Sequence, residues 1–582
     1  MYFKNKVAMK KLDIGNSDFK SIIENNNYFV DKSLFIKEVI DNQSLVILLP
    51  RPRRFGKTLN LSMLQYFFDI NKPENSKLFT NLKIWKTENE IKSKQGKYPI
   101  IYLSFKDAKD QNWEKTYKYI VNEIINLYSK YDFLLENDIL KHHEKNTFNK
   151  ILNSEADSVD YAESLKRLSE YLYRFYNQKV VILIDEYDTP IQAGYNRFYE
   201  NAISFMRNLL SGAFKDNKFL YKGVITGILR VSKESVFTGL NNVSVYSILD
   251  DGFSDKFGFT EIETKQIIAD FNVPTDYELI KKWYDGYKIG KTGDIYNPWS
   301  ILNYVISYES GFKTFWANTS SDELIKEQIN KKDANYLREQ LLKLINNETI
   351  DKEIDDNFVF PDLFTDKELL WTLLTFSGYL TSKNKTGRKT YDLAIPNYEV
   401  KTVFQDIILK WLNADVNIKR STLIDTTKYL INNEIVKFEK GFREIIGDTF
   451  SYFDINGEPE NVYQSYVLGL LAIIGDDYII KSNRESGEGR YDILLIPHDK
   501  TKYGIVIEIK QVNKDKNDDI EVFNKKINDK LKEAIKQIDK NNYYMELIEN
   551  KISNIIKLPI VFAGKVPYIT LLSKDGNEKN IQ

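Results

Sequence analysis

The stretch Leu45-Val46-Ile47-Leu48-Leu49-Pro50-Arg51-Pro52-Arg53-Arg54-Phe55-Gly56-Lys57-Thr58 dictates the order strand, tight loop, helix. An uninterrupted apolar run leads into a loop of prolines and arginines, and Leu59, Leu61, Leu64 and Phe67 then recur at helical spacing. The first N–H groups of a helix have no intrahelical partner and the dipole is positive there, so an anion is stabilised at that point. Lys57 is placed to reach outer phosphates, and the Thr58 hydroxyl to meet a Mg²⁺ ion. The pattern G-x-x-x-x-G-K-[ST] is incomplete, because Arg51 stands at the first glycine position. The other reading of Gly-Lys-Thr is a capped helix with a solvated basic start.

A second run, Val180-Val181-Ile182-Leu183-Ile184 followed by Asp185-Glu186-Tyr187-Asp188, decides between these readings. Five branched or leucine side chains suit a central parallel strand buried on both faces, and ligands of open α/β sheets bind at the C-terminal ends of such strands. In P-loop NTPases the first acid holds Mg²⁺ and the second polarises the attacking water, the places taken by Asp185 and Glu186. Gly223 to Ile228 reads as a further strand. A polar residue on a strand beside the acidic one senses the γ-phosphate in ATPases of the AAA type. Thr226 is the candidate, with Arg230 beyond it to stabilise transferred charge. A turn residue and a surface charge explain these two equally well.

Length bounds the rest. The 582 residues suggest about three or four domains. Lys and Arg number 82 against 83 Asp and Glu, so no global field draws the chain to nucleic acid or an anionic membrane. The absence of cysteine, with His142, His143 and His498 as the whole histidine content, excludes disulfides and Cys- or His-rich metal sites. A required metal is then carboxylate-bound Mg²⁺ or Mn²⁺. No signal-peptide core or membrane-length run is evident, so the expected location is cytoplasmic. Paired neighbours such as His142 and His143 do not face one another on a helix and read as surface residues, as does His498 in a hairpin turn.

In chain order, Tyr28 to Ser33 and a helix from Leu34 to Ile40 precede the loop strand, where they either pack on an adenine or cover a sheet edge. Pro99 to Phe105 reads as a strand, 113 to 178 as helical, and Ala202 to Phe214 as a helix. From about 260 to 440 the pattern is mostly helical, interrupted at Trp283–Ser300 and Phe376–Thr381.

The last part carries a second chemistry. After a helix opening at Pro459-Glu460, strands are expected at Tyr478–Ile480, Arg490–Ile496 and Tyr503–Lys510. Alternate side chains of a strand share a face, so Glu508 and Lys510 project together. If the second and third strands are neighbours, Asp492 approaches Glu508 and the two carboxylates form a hard oxygen site, with Lys510 positioning water or phosphate. A cross-strand ion pair is the plain alternative. A helix marked by Phe523, Ile527, Leu531, Ala534 and Ile538 and a strand at Pro559–Ala563 follow.

Together these motifs carry a resemblance. Arg51–Thr58, Asp185–Asp188, Thr226-Gly227-Ile228 ahead of Phe237–Asn242, Trp283–Tyr287 and Tyr296–Ser300 are similar to the predicted AAA-ATPase-like family, in which a PD-(D/E)XK nuclease-like domain commonly follows the ATPase. Arg51 is then a variation within that family. The resemblance implies an α/β architecture: a P-loop NTPase, AAA-like parallel-sheet domain over 1–258, a helical lid or connector over 259–440, and a restriction-endonuclease-like α/β domain over 441–582. It implies nucleotide binding by Arg54, Phe55, Gly56, Lys57, Thr58, Asp185, Thr226 and Arg230, with Mg²⁺ on Thr58 and Asp185 and Glu186 catalytic. In the last domain it implies catalysis by Asp492, Glu508, Lys510 and Gln537, the last matching the family's glutamine, with metal on Glu460, Asp492 and Glu508. The expected function is ATP-regulated, Mg²⁺-dependent DNA cleavage, in a defence or mobile-element setting. A regulatory ATPase whose last domain only binds nucleic acid or a protein, and a slowly hydrolysing switch, are the alternatives. A homo-oligomer stays open.

Overall fold

The computed structural model describes residues 10–229 and 242–316, and from 335 to 579 all but a set of interruptions of which 356–365, 408–419 and 451–466 are the longest. The chain divides into two compact units. Residues 1–317 and 351–400 form one, and 318–350 with 401–582 form the other.

The first unit is built on five parallel strands, β1 (Val46–Pro50), β2 (Ile100–Ser104), β3 (Val180–Asp185), β4 (Leu220–Gly227) and β5 (Val243–Val245), in the order β2-β3-β4-β1-β5. β1 and β3 are buried along their whole length, as their unbroken apolar runs require of strands covered on both faces. The helix α1 (Lys57–Phe68) follows the loop after β1. Three further helices, α2 (Trp113–Ser129), α3 (Ser158–Tyr176) and α4 (Tyr199–Phe214), bury one stripe each. His142 and His143 begin the helix His142–Leu152 and are exposed.

The mostly helical pattern expected over 259–440 is present, in helices such as Glu261–Asp270, Pro298–Ser307, Leu369–Ser377 and Arg420–Ile431, but the segment does not divide off as a connector of its own. Residues 259–317 and 351–400 pack within the first unit, and 401–440 within the second. They also contain strands: Phe259–Thr260, Tyr287–Lys288 and Asp294–Tyr296 form one small antiparallel sheet, and Thr381–Lys385 pairs with Thr390–Ala394. At two to five residues, these strands are too short to print a period-2 pattern over the helical one.

The second unit centres on a mixed sheet in sequential order: β6 (Tyr478–Ser486), β7 (Gly489–Pro497), β8 (Gly504–Val512), β9 (Ile555–Ala563) and β10 (Val566–Tyr568). The pairs β6/β7, β7/β8 and β9/β10 are antiparallel. β8/β9 is parallel, so its connection is a crossover through the helix α5 (Ile520–Lys540). α5 starts on Asp519, whose carboxylate accepts the Val522 N–H, and buries Ile527, Leu531, Ala534 and Ile538. His498 is exposed just past β7. The helix expected to open at Pro459-Glu460 begins outside the described residues.

Candidate functional site

The first site forms where the strands of the parallel sheet end. The loop from Arg51 to Gly56 takes its two left-handed turns at Arg54 (φ 65°) and Gly56 (φ 83°), the second at the N-cap of α1. Only glycine reaches that conformation without strain, so Gly56 is fixed by the backbone path. Arg51 meets no such demand. Its buried guanidinium points away from the loop mouth, donating to the carbonyls of Pro50 (2.9 Å) and Tyr246 (2.6 Å) and lying 5.1 Å from the centre of the Phe257 ring. Burial pulls its pKa down to about 10. A residue standing where the usual loop has glycine is thus an anchor that ties the loop to 246–257.

Lys57 is buried, and its ammonium donates to the carbonyls of Arg51 (3.0 Å) and Pro52 (3.1 Å), spanning the loop it closes. Burial lowers its pKa, opposed by the charges of Glu186, Asp185 and Asp188. The Thr58 hydroxyl donates to one Asp185 oxygen at 2.6 Å and the Thr226 hydroxyl to the other at 2.6 Å. Asp185 is fully buried; desolvation raises its pKa against both hydroxyl bonds. One carboxylate therefore joins α1, β3 and β4. The donors at this point are all oxygen, which suits a hard cation such as Mg²⁺.

Glu186 adopts φ 51° and accepts the Thr189 hydroxyl at 3.1 Å. It lines a cavity of about 360 Å³ together with Arg54, Lys57, Thr58, Trp299, Tyr28 and Phe29. Phe55 also lines it and packs edge-on against Tyr287 at 5.1 Å between ring centres. Arg230 lies outside the described residues.

Sequence reasoning quoted Asp188 without giving it a task. Its carboxylate is buried and accepts the N–H groups of Ile228 (3.0 Å) and Leu229 (2.9 Å) and the Gln192 amide (2.7 Å), while the Tyr187 hydroxyl donates to the Leu229 carbonyl. Gly227 fits against them because a Cβ there would lie 2.5 Å from Asp188 Oδ1. Asp188 thus holds the end of β4, and with it Thr226. Asp188→Ala leaves two buried N–H groups without an acceptor, so the unit is expected to lose about 3 kcal/mol, read by denaturant unfolding of the full chain. An unchanged unfolding midpoint would show that the carboxylate is not an anchor.

Three more residues had been given no role, Asn297 being quoted only within the Tyr296–Ser300 motif. Ser104 is the register partner of Asp185, and its hydroxyl is buried without a hydrogen-bond partner beside that carboxylate. Asn297 caps the helix Pro298–Ser307, accepting the Trp299 and Ser300 N–H groups, and donates to the Arg53 carbonyl. Glu399, fully buried, accepts the Phe315 N–H, the Trp316 N–H (2.7 Å) and the Ser300 hydroxyl (2.7 Å); burial pushes its pKa up to about 7. A lone Glu such as Glu399 gives no sign of a partner far along the chain, and the motif around Asn297 does not name its partner. Ser104, ending an apolar strand, offered a weak one.

The second site lies on β7 and β8. Their pairing includes Ile493 with Ile507, and the Asp492 carboxylate accepts the Ile509 N–H at 2.6 Å. The strands are therefore neighbours, as the hairpin reading required. Ile493, Ile507 and Ile509 share one core, whereas Leu494 and Val506 pack with Ile538 of α5. Alternation then puts Asp492, Glu508 and Lys510 on the α5 side of the sheet. Glu508 is buried, and Lys510 donates to its Oε1 at 2.7 Å. Two carboxylates and an ammonium thus share one face, and an all-oxygen acidic pair is the chemistry that suits a hard divalent ion. Among the described residues no group of three or more acids or histidines is gathered to hold a metal, and Glu460 lies outside them. Gln537 lies on α5, where its amide donates to the Tyr543 hydroxyl at 3.2 Å.

Comparison with known proteins agrees with this division. Residues 13–237 match the family described as predicted AAA-ATPase, and 458–570 match the PD-(D/E)XK nuclease superfamily. An uncharacterized protein in the vnfD 5' region of Azotobacter chroococcum mcd 1 is 26% identical over 430 residues, which covers 72% of this chain and 73% of that protein. A solved Walker-type ATPase of Pyrococcus abyssi is similar at 15% identity and a TM-score of 0.33, covering 64% of this chain and 94% of that one.

Proposed function

From a chain that joins a predicted AAA-ATPase domain to a PD-(D/E)XK nuclease superfamily domain, we propose a protein that binds and hydrolyses ATP in its first unit and cleaves DNA phosphodiester bonds in its second. The observation that carries the first half is the Thr58–Asp185–Thr226 hydrogen-bonded row at the start of α1, with Lys57 across the loop. Lys57 exchanges its two loop carbonyls for phosphate oxygens, a stronger charge-assisted bond. The loop N–H groups and the α1 dipole stabilise the rest of the polyphosphate. Thr58 and Asp185 would hold Mg²⁺, which neutralises charge on the transferred phosphoryl group. Glu186 orients and deprotonates the attacking water. Thr226 fixes the Asp185 carboxylate and senses the outer phosphate, and Arg230 remains the candidate for stabilising transferred charge.

In the second unit Asp492 and Glu508 would hold a divalent ion, Mg²⁺ or Mn²⁺, that lowers the pKa of its bound water. Glu460 remains the candidate for completing that set and Gln537 a supporting residue. Lys510 is drawn to Glu508 in the described structure and, once that carboxylate has another partner, orients water or the scissile phosphate. Among the described residues no helix is long and apolar enough to cross a membrane.

The test is incubation of purified full-length protein with linear, circular and single-stranded DNA, with Mg²⁺ or a chelator, with and without ATP. Cleavage is expected with the metal, none with the chelator, and a rate that ATP changes. ATP hydrolysis without cleavage under every condition would instead favour a regulatory ATPase whose last domain only binds.

A further inference from the structure

We infer that Arg54, Phe315 and Glu399 form a relay that carries nucleotide occupancy of the phosphate loop to two places where the chain leaves the first unit. The inference rests on the ATP reading and adds a regulation of that site. Arg54 lines the loop cavity from its left-handed backbone position. Its guanidinium lies 4.3 Å from the centre of the Trp299 ring and donates to the Phe315 carbonyl at 2.6 Å. The same carbonyl accepts the Trp299 indole N–H at 3.1 Å. On the other side of Phe315, Glu399 holds the N–H groups of Phe315 and Trp316 and the Ser300 hydroxyl.

These contacts sit at chosen points of the chain. The unit ends once just beyond Trp316 and again at Val400, next to Glu399. A single buried carboxylate therefore clasps two exits, and the loop arginine is bonded to the residue it clasps. Burial favours a neutral Glu399 and the Arg54 charge opposes this, so the two groups also sense each other electrostatically.

The relay works by competition. A guanidinium bonds a phosphate more strongly than a neutral carbonyl, and two parallel N–H groups match two phosphate oxygens. A polyphosphate in the loop draws Arg54 off Phe315. The Phe315 carbonyl then keeps the Trp299 indole and loses its charged donor, while Glu399 loses a favourable charge. Both changes loosen the Phe315–Trp316 segment. A ligand shifts an equilibrium only through differential contacts with the two states, and Arg54 supplies that difference.

Amide hydrogen exchange of the full chain, with and without a non-hydrolysable ATP analogue and Mg²⁺, reads the relay directly. Slower exchange is expected at residues 55–58, together with severalfold faster exchange at Phe315 and Trp316. Arg54→Ala is expected to keep part of the loop protection and lose the Phe315 response. Glu399→Ala, which removes the oxygen that both amides bond, is expected to exchange fast at both even without nucleotide, with β3 unchanged as a check on folding. Loop protection with unaltered Phe315 and Trp316 in the parent chain would overturn the relay alone. No loop protection would remove the ATP reading, and the relay with it.

Discussion

Lys57→Ala is expected to cut ATP hydrolysis at least about a thousandfold, roughly 4 kcal/mol of transition-state stabilisation, without lowering the stability of the first unit. The two halves of this expectation have one cause. The ammonium is buried, and its lowered pKa shows that the fold disfavours its charge. Its bonds to the Arg51 and Pro52 carbonyls offset that cost only in part, since both are neutral acceptors. Alanine removes the desolvated charge, and because Lys57 itself lines the loop cavity, the space it vacates is expected to admit water to the two buried carbonyls. A group kept at a cost to folding is kept for its ligand. Steady-state hydrolysis and denaturant unfolding of the same preparation check both parts. Lost activity accompanied by an equal loss of stability would identify Lys57 as a structural brace of the loop. Retained activity would remove it from the site.

The same contrast shows what the sequence could carry. β1 and β3 were legible because a strand buried on both faces leaves an unbroken apolar run, and the acids and Gly-Lys-Thr follow those runs directly. Hydrogen bonds that join Thr58, Asp185 and Thr226 could be anticipated, since neighbouring parallel strands bring their C-terminal ends together. Arg51 was legible only as an exception. Its role emerged from partners near residues 246–257, which nothing in the loop's own pattern announces. Glu399 was invisible for the same reason on a larger scale: its partners lie 83 to 99 residues away, and an isolated acid near Pro396 looks like any solvated one. The misplaced connector has a related cause. Composition changes little at residues 258 and 440, whereas the unit boundaries follow contacts between segments far apart in the chain.

Asp492→Asn is expected to abolish DNA cleavage, by about a thousandfold or more, with folding and ATP hydrolysis intact. Asparagine is the informative substitution because Asp492 performs two tasks. Its carboxylate accepts the Ile509 N–H, which fixes β8 where Glu508 and Lys510 project. An asparagine carbonyl oxygen can still accept that bond. What it lacks is the negative charge that, beside Glu508, suits a divalent ion. Alanine would remove both functions and could not tell them apart. Cleavage assays on Asp492→Asn, with Mg²⁺ titrated over a wide range, therefore isolate the charge. Full activity at ordinary Mg²⁺ would assign Asp492 to holding Ile509 alone and move the metal site elsewhere. Activity recovered only at high Mg²⁺ would place Asp492 among the ligands and leave catalysis to Glu508 and Lys510. Complete loss with unchanged ATP turnover would separate the two chemistries, because Asp492 belongs to a different unit from Lys57 and its substitution leaves the ATP site untouched.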